Sequence, residues 1–388
     1  MRRIGVVTGS RAEYGLLKGL MRSIDQDSSL ELVLMVTGMH LSPMHGETWR
    51  TIVDDGFTLH ERIATDLSDD SPATVTRALG QGVIGFGEVF ARNRPDILVV
   101  LGDRFEILAP VQAALLARIP VAHIHGGERT DGAVDDAIRH AITKFAHLHF
   151  VAAEPYRRRV IQLGEVPERV FTVGALGLDA IAATSPLTRE QWQVDAGFEL
   201  GEVNFLVTYH PATLGRVPPS EAAEALLGAL DEFPQARVVI TESNADVGGA
   251  MIVERLRAFA RERPRVSVFT SLGSLRYYSL LQWVDVVIGN SSSGLIEVPW
   301  FGKPTVNIGE RQAGRLRGDT VIDCADDQAS IRAAITRALS TEFRRQAQMR
   351  SNPYGQGNAV ERILDILRCV PLEGLTNKRF NDLEGVGA

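Results

Sequence analysis

The chain has 388 residues, enough for two hydrophobic cores rather than one. Hydrophobic residues make up 45% and charged residues 23%, the balance of a well-packed globular protein. The net charge of −7 argues against a nucleic-acid-binding face, although a few Arg side chains and helix starts can still hold a small anion. Two cysteines, Cys324 and Cys369, make no disulfide framework and suit a reducing compartment. The opening MRRIGVVTGS runs straight into a strand, and no run of about 18 apolar residues occurs. A cytoplasmic protein with no membrane span is expected.

Short apolar runs alternate with stretches of helical period. In the first half, strands are predicted at Ile4–Thr8, Leu32–Thr37, Ile97–Leu101, Val121–Ile124, Leu148–Val151 and Val170–Val173. Helices are predicted around 14–25, 73–93, 104–118, 134–147 and 154–163. Strands rich in Val, Ile and Leu with no alternation mark a parallel sheet buried on both faces. After Gly177 a less regular segment reads as a connection, and the alternation then restarts. Strands follow at Phe205–Tyr209, Val238–Thr241, Val266–Phe269, Val286–Gly289 and Thr305–Ile308. The expected fold class is α/β, two Rossmann-like doubly wound domains facing a cleft, residues 1–180 and 181–356. The unusual polar residues fall at the predicted strand ends: Thr8–Arg11, Gly102–Arg104, His125–Glu128, His210 and Asn290–Ser293. In open α/β sheets that is where ligands bind.

VTGSRAEYG turns from the first strand into the first helix, with amides and Arg11 suited to an anion. It lacks G-x-G-x-x-G, so the dinucleotide fingerprint fails. LGDRFE puts Asp103 and Arg104 at a strand end, where Asp103 is either a helix cap or an acid/base. In IHGGERTDGAVDDAIRHAITKFAHLHF, a double glycine precedes Glu128, Asp131, Asp135 and Asp136. Helical spacing predicts a buried face of Val134, Ile138, Ala141, Ile142 and Phe145. Asp135–Arg139 and Asp136–His140 then read as surface pairs. Five histidines in this region, His123, His125, His140, His147 and His149, have no zinc-ligand spacing, and no metal is expected. IGNSSSGLIEVPWFGKP gives a polar turn entering a helix, with Ser291 and Ser292 as an anion nest and Glu297 placed to accept from a vicinal diol. RQAGRLRGD adds Arg311, Arg315 and Arg317.

Taken in order, TGSRAEYG, VTGMH, LGDRFE, HIHGGE, DDAIRHAITK, HLHF, RVIQLGE, GNSSSGLIEVP and GERQAGRLRG resemble the hydrolysing UDP-GlcNAc 2-epimerases. The similarity runs from about Arg3 to Leu367 and is strongest to the bacterial branch that serves nonulosonic (sialic or legionaminic) acids. The resemblance implies a GT-B fold, with a last helix at about 357–368 returning to the first domain. It implies elimination of UDP to a 2-acetamidoglycal and hydration to a manno-configured sugar, without a cofactor. Catalytic roles would fall to Asp103, His125, Glu128 and Asp135. The UDP-sugar would be bound by Arg11, Glu13, Arg104, Arg139, His210, Asn244, Asn290, Ser291, Ser292, Gly294, Glu297 and Arg311. Partners would be the UDP-sugar substrate, the UDP product and further copies of the chain in a dimer or tetramer. Two positions depart from the family pattern: His125 stands where many members have Glu, and Leu16 where they have a phosphate-loop Lys, with Lys18 half a turn on.

Overall fold

The computed structural model describes residues 1–69, 71–130, 134–211, 217–242 and 249–382. The chain divides into two compact units. Unit 1 comprises Met1–Glu128, Ala133–Ala180 and Gly357–Ala388, and unit 2 comprises Arg129–Gly132 and Ile181–Gln356.

Unit 1 is built on β1 (Arg2–Thr8), β2 (Leu30–Thr37), β3 (Glu61–Ile63), β4 (Ile97–Leu101), β5 (Val121–Ile124), β6 (Leu148–Val151) and β7 (Val170–Thr172). They pair in the order β3-β2-β1-β4-β5-β6-β7, every neighbour parallel. The central strands are continuous apolar runs because helices cover both faces; every residue of β4 is buried. The chain first builds outward from β1 to β3. It then crosses back through the helix Pro72–Arg92 to lay β4 on the other side of β1. The reversal leaves a crevice at the carboxyl ends of β1 and β4. A final helix, Ala359–Cys369, belongs to the same core: Ile363 and Leu367 join Leu17 and Leu20 of the helix Arg11–Asp25. The first two amides of that final helix are capped by the Asp179 carboxylate, each at 3.0 Å.

Unit 2 repeats the plan with β8 (Val203–Thr208), β9 (Ala236–Thr241), β10 (Val266–Phe269), β11 (Val286–Gly289), β12 (Thr305–Ile308) and β13 (Val321–Cys324). Its order is β10-β9-β8-β11-β12-β13, again parallel, so the switch lies between β8 and β11. The architecture is the predicted α/β class. Among the described residues no helix is long and apolar enough to cross a membrane.

Two strands absent from the sequence reading, β3 and β13, lie at sheet edges. One buried-face assignment is corrected. Val134 is 78% exposed, and the helix Val134–Phe145 buries Arg139, Ile142 and Thr143, with Ile138 and Phe145 partly buried. Apolar spacing alone misplaced the face because two of its buried positions are polar residues with partners of their own.

Candidate active site

At the end of β1 the turn and the helix start interlock. Ser10 Oγ accepts from the Glu13 amide (3.4 Å), and Glu13 Oε2 accepts from the Gly9 amide (2.7 Å). This folds the Glu13 carboxyl beneath the turn, 5% exposed. Burial pushes its pKa up to about 7, against the Gly9 hydrogen bond and the charge of Arg104. Its Oε1 is buried without a hydrogen-bond partner. Arg11 opens the helix with an exposed side chain. Lys18 is drawn to Asp55 instead, at 2.7 Å.

Beside this turn, at the end of β4, Arg104 donates to Glu106 Oε1 (2.9 Å) and Oε2 (3.2 Å). The charges of Glu13 and Asp135 also act on Arg104, so one guanidinium serves three carboxylates. Asp103 does not cap the following helix, where Arg104 is the N-cap and no side chain fills the role. Its carboxylate pairs instead with Arg139. Arg139 is only 2% exposed and also reaches Asp136 at 3.4 Å, so the reading of Asp135 and Arg139 as an exposed surface pair is corrected. The Asp136–His140 pair does form, at 3.4 Å.

The end of β5 carries a strained residue. His125 has φ 64, a left-handed conformation that costs energy for any side chain with a Cβ. Its imidazole Nδ1 is 2.8 Å from Glu128 Oε1, and Glu128 is 3% exposed. With Nδ1–H donated to the carboxylate, Nε2 keeps its lone pair, and this atom is buried without a hydrogen-bond partner. A carboxylate-oriented imidazole with one free nitrogen is the arrangement of a general base. The intervening glycines are packing requirements. A Cβ on Gly126 would lie 3.0 Å from both His123 Nδ1 and Thr143 Oγ1, and one on Gly127 would lie 2.6 Å from the Tyr156 carbonyl. Opposite Ile124, Leu101 ends β4, so Asp103 and His125 stand just beyond neighbouring strand ends.

His123 and His149 are held within the sheet of unit 1. His123 bridges the Gly102 carbonyl (2.8 Å) and Thr143 Oγ1 (3.1 Å), and burial lowers its pKa to about 3. It sits opposite His149 in the ladder, and His149 pairs with Glu165 at 3.0 Å. Among the described residues no group of His, Cys, Asp and Glu is placed to hold a metal ion.

In unit 2, the ends of β8 and β11 are tied by reciprocal bonds. The His210 amide donates to Asn290 Oδ1 and Asn290 Nδ2 donates to the His210 carbonyl, both at 2.8 Å. The Asn290 carbonyl accepts from Arg311 (3.0 Å) and Gln312 (2.9 Å). Gly289, at φ 137, must be glycine, since a Cβ would fall 1.9 Å from the Thr208 carbonyl oxygen. The helix after the serine turn is a single turn, Ser293–Ile296, with Ser291 and Ser292 half-buried before it. Its dipole is correspondingly small, so the turn offers hydroxyls and amides rather than helix charge. Glu297 accepts from Ser293 Oγ and from the Tyr278 hydroxyl (3.4 Å), and burial raises its pKa. Gly294 packs so closely on Thr305 that a Cβ would meet its methyl at 2.7 Å. Asn244 and Asp131 lie outside the described residues.

Within unit 1, the structure therefore groups Glu13, Arg104, Asp103, Asp135 and Arg139 by contact or charge, and places His125 and Glu128 at the next strand end. Sequence reading missed Glu106, His40, which bonds Thr8 Oγ1 at 3.0 Å, and the Tyr277–Tyr278 pair beside Glu297. Glu106 had a signal, standing two residues after Arg104 in LGDRFE. The tyrosines had none, since they come from a helix (Gly273–Leu281) that carries no motif.

A family model described as UDP-N-acetylglucosamine 2-epimerase matches residues 22–368. The chain is 36% identical over 384 residues to the GDP/UDP-N,N'-diacetylbacillosamine 2-epimerase (hydrolyzing) of Campylobacter jejuni, covering 98% of this chain and 99% of that one. It is also 36% identical over 385 residues to the UDP-N,N'-diacetylbacillosamine 2-epimerase (hydrolyzing) of Legionella pneumophila, covering 98% of this chain and 99% of the other. Its fold is similar to that of UDP-GlcNAc 2-epimerase from Neisseria meningitidis bound to UDP-GlcNAc, with a TM-score of 0.72 at 18% identity over 95% of this chain and 99% of that chain.

Proposed function

The chain belongs to the UDP-N-acetylglucosamine 2-epimerase family, and from that premise we propose that it is a hydrolysing enzyme acting on a UDP-2-acetamido sugar. The preferred substrate is UDP-N,N'-diacetylbacillosamine, the sugar nucleotide named for the Campylobacter and Legionella relatives, with UDP-GlcNAc the weaker one. The product feeds nonulosonic acid synthesis, a reading supported by 36% identity to an Escherichia coli protein named for polysialic acid biosynthesis. The enzyme works in the cytoplasm as a homo-oligomer and requires no metal.

The buried His125–Glu128 pair carries the reaction. In the first step His125 Nε2 takes the C2 proton, the C1–O bond to UDP breaks, and a 2-acetamidoglycal forms. In the second, the oxygen of a water adds to C1 and a proton returns to C2 from the opposite face. Asp103 and Asp135 serve the remaining proton transfers at C1 and at the water. Arg139 and Arg104 hold these two carboxylates in place, and Arg11 meets the departing diphosphate. In unit 2, Ser291, Ser292 and Arg311 bind the diphosphate and Glu297 accepts from the ribose hydroxyls, with His210 and Asn290 shaping that turn. Asn244 completes the nucleotide-binding set.

The test is release of free UDP from each sugar nucleotide, with EDTA present. The account predicts UDP release from both, with kcat/KM at least about tenfold higher for UDP-N,N'-diacetylbacillosamine, roughly the worth of one well-made contact to the 4-acetamido group. Release from UDP-GlcNAc alone would reverse the substrate assignment, and release from neither would end the reading.

A further inference from the structure

The segment after the final helix lies beyond the family match, which ends at residue 368. It has no regular structure from Pro371 to Asp382, yet it is bound to unit 1 along its length. Leu375 is 4% exposed in the core, and its carbonyl accepts from Arg169 at 2.8 Å. The Asn381 amide donates to the Gly164 carbonyl at 3.0 Å. Gly164 has φ 90, and a Cβ there would strike the Phe380 ring at 2.3 Å, so segment and body fit closely.

Lys378 makes the contact that matters for chemistry. Its ammonium donates to the carbonyls of Lys144 (2.6 Å), Ala146 (2.8 Å) and, more weakly, Thr143 (3.4 Å). It also pairs with Glu165 at 2.7 Å, and Lys144 and His149 hold the same carboxylate. Those three carbonyls are at or just past the carboxyl end of the helix Val134–Phe145, where the negative end of the helix dipole calls for a cation. The other end of that helix carries Asp135 and Asp136, with Arg139 one turn further along. Ten residues of helix, about 15 Å, separate Asp135 from Phe145 as a stiff rod. Two cross-links join the rod to the turn after β4: Arg139 to Asp103, and Thr143 through His123 to the Gly102 carbonyl.

We propose that Lys378 is a positioning residue for the reaction: from the terminal strap it fixes the helix Val134–Phe145 along its axis, and with it Asp135, Arg139 and Asp103. This rests on the function proposed above, in which those groups serve the chemistry. A small axial slip would move Asp135 while leaving the nucleotide-binding residues of unit 2 untouched. Loss of Lys378 is therefore read in kcat rather than in KM.

The experiment compares Lys378→Met, Lys378→Arg, Phe380→Ala and Leu375→Ala in the full chain, well below their unfolding temperatures. Lys378→Met lowers kcat about tenfold or more with KM within about twofold, because small misplacements of reacting groups are costly. Lys378→Arg restores most of that loss, and Phe380→Ala gives a smaller fall in kcat. Leu375→Ala lowers the unfolding temperature without changing kcat, since it loosens the core and not the helix end. Hydrogen exchange of residues 134–146 rises in Lys378→Met but not in Leu375→Ala. If Lys378→Met and Phe380→Ala change only the unfolding temperature, the strap is merely stabilising and the proposal is overturned. If the unmutated chain releases no UDP, the functional reading has failed, and unchanged hydrogen exchange in Lys378→Met would then overturn the strap on its own terms.

Discussion

The carboxyl ends of the two sheets share a topology and differ in chemistry. The strand ends of β1, β4 and β5 carry Glu13, Asp103, Arg104, Glu106, Glu128 and a strained His125, and Arg139 reaches Asp103 from the helix Val134–Phe145. The turn after β11 holds Asn290 and three serines, with Glu297 as the carboxylate that, with Ser293, meets two tyrosines from the helix Gly273–Leu281. Charge buried at such density is destabilising unless every group is paired, and a fold keeps it where protons must move. Hydroxyls and amides, which bind without titrating near neutrality, suit a turn that only has to hold.

The comparison breaks most visibly at the imidazole. His125→Ala or Glu128→Gln lowers kcat about 10²- to 10⁴-fold with little change in KM, read from initial rates of UDP release. An equal loss in kcat/KM carried wholly by KM would reassign the pair to binding.

A second effect, smaller, concerns the buried charge itself. Glu13 titrates near 7 in the folded chain, against an ordinary 4.5, so the folded state holds its proton more tightly than the unfolded state does. The stability from this group is full below about pH 4.5 and is lost as pH rises through about 7. Glu13→Gln removes that loss. Relative to the parent chain, its stability rises by up to about 3 kcal/mol between about pH 5 and about pH 8, measured by denaturant unfolding at both. Parallel stability–pH curves for the two chains would show that Glu13 keeps an ordinary pKa.

The smallest effect is expected at the serine turn of unit 2. Glu297→Gln raises KM about tenfold, about 1.4 kcal/mol, and leaves kcat within about twofold. A fall in kcat with constant KM would erase the division between a holding turn and a reacting one.

The sequence made the sheet centres legible because burial on both faces writes them as unbroken Val, Ile and Leu runs, as in ILVVL of β4. The edge strands β3 and β13 escape that signature, whereas the edge strands β7 and β10 keep enough of it to be read. Glu61–Ile63 is three residues with two charges, and Val321–Cys324 has an exposed Asp323. The strand-end polar residues stood out for the same reason, as interruptions of apolar runs. What stayed hidden was pairing across elements. Nothing near Arg139 in sequence says that it is buried against Asp103 at the next strand end, nor that Lys378 reaches the far end of the same helix. Those contacts come from the packing of strands and helices into one unit, and spacing along a single helix cannot report them.

The central claim, a base that removes the C2 proton as UDP departs, is tested most directly by proton NMR of the reaction run in D2O. The account predicts free UDP together with a manno-configured sugar carrying deuterium at C2. A gluco-configured product that retains its C2 proton would contradict it, because simple hydrolysis of the C1–O bond never touches C2.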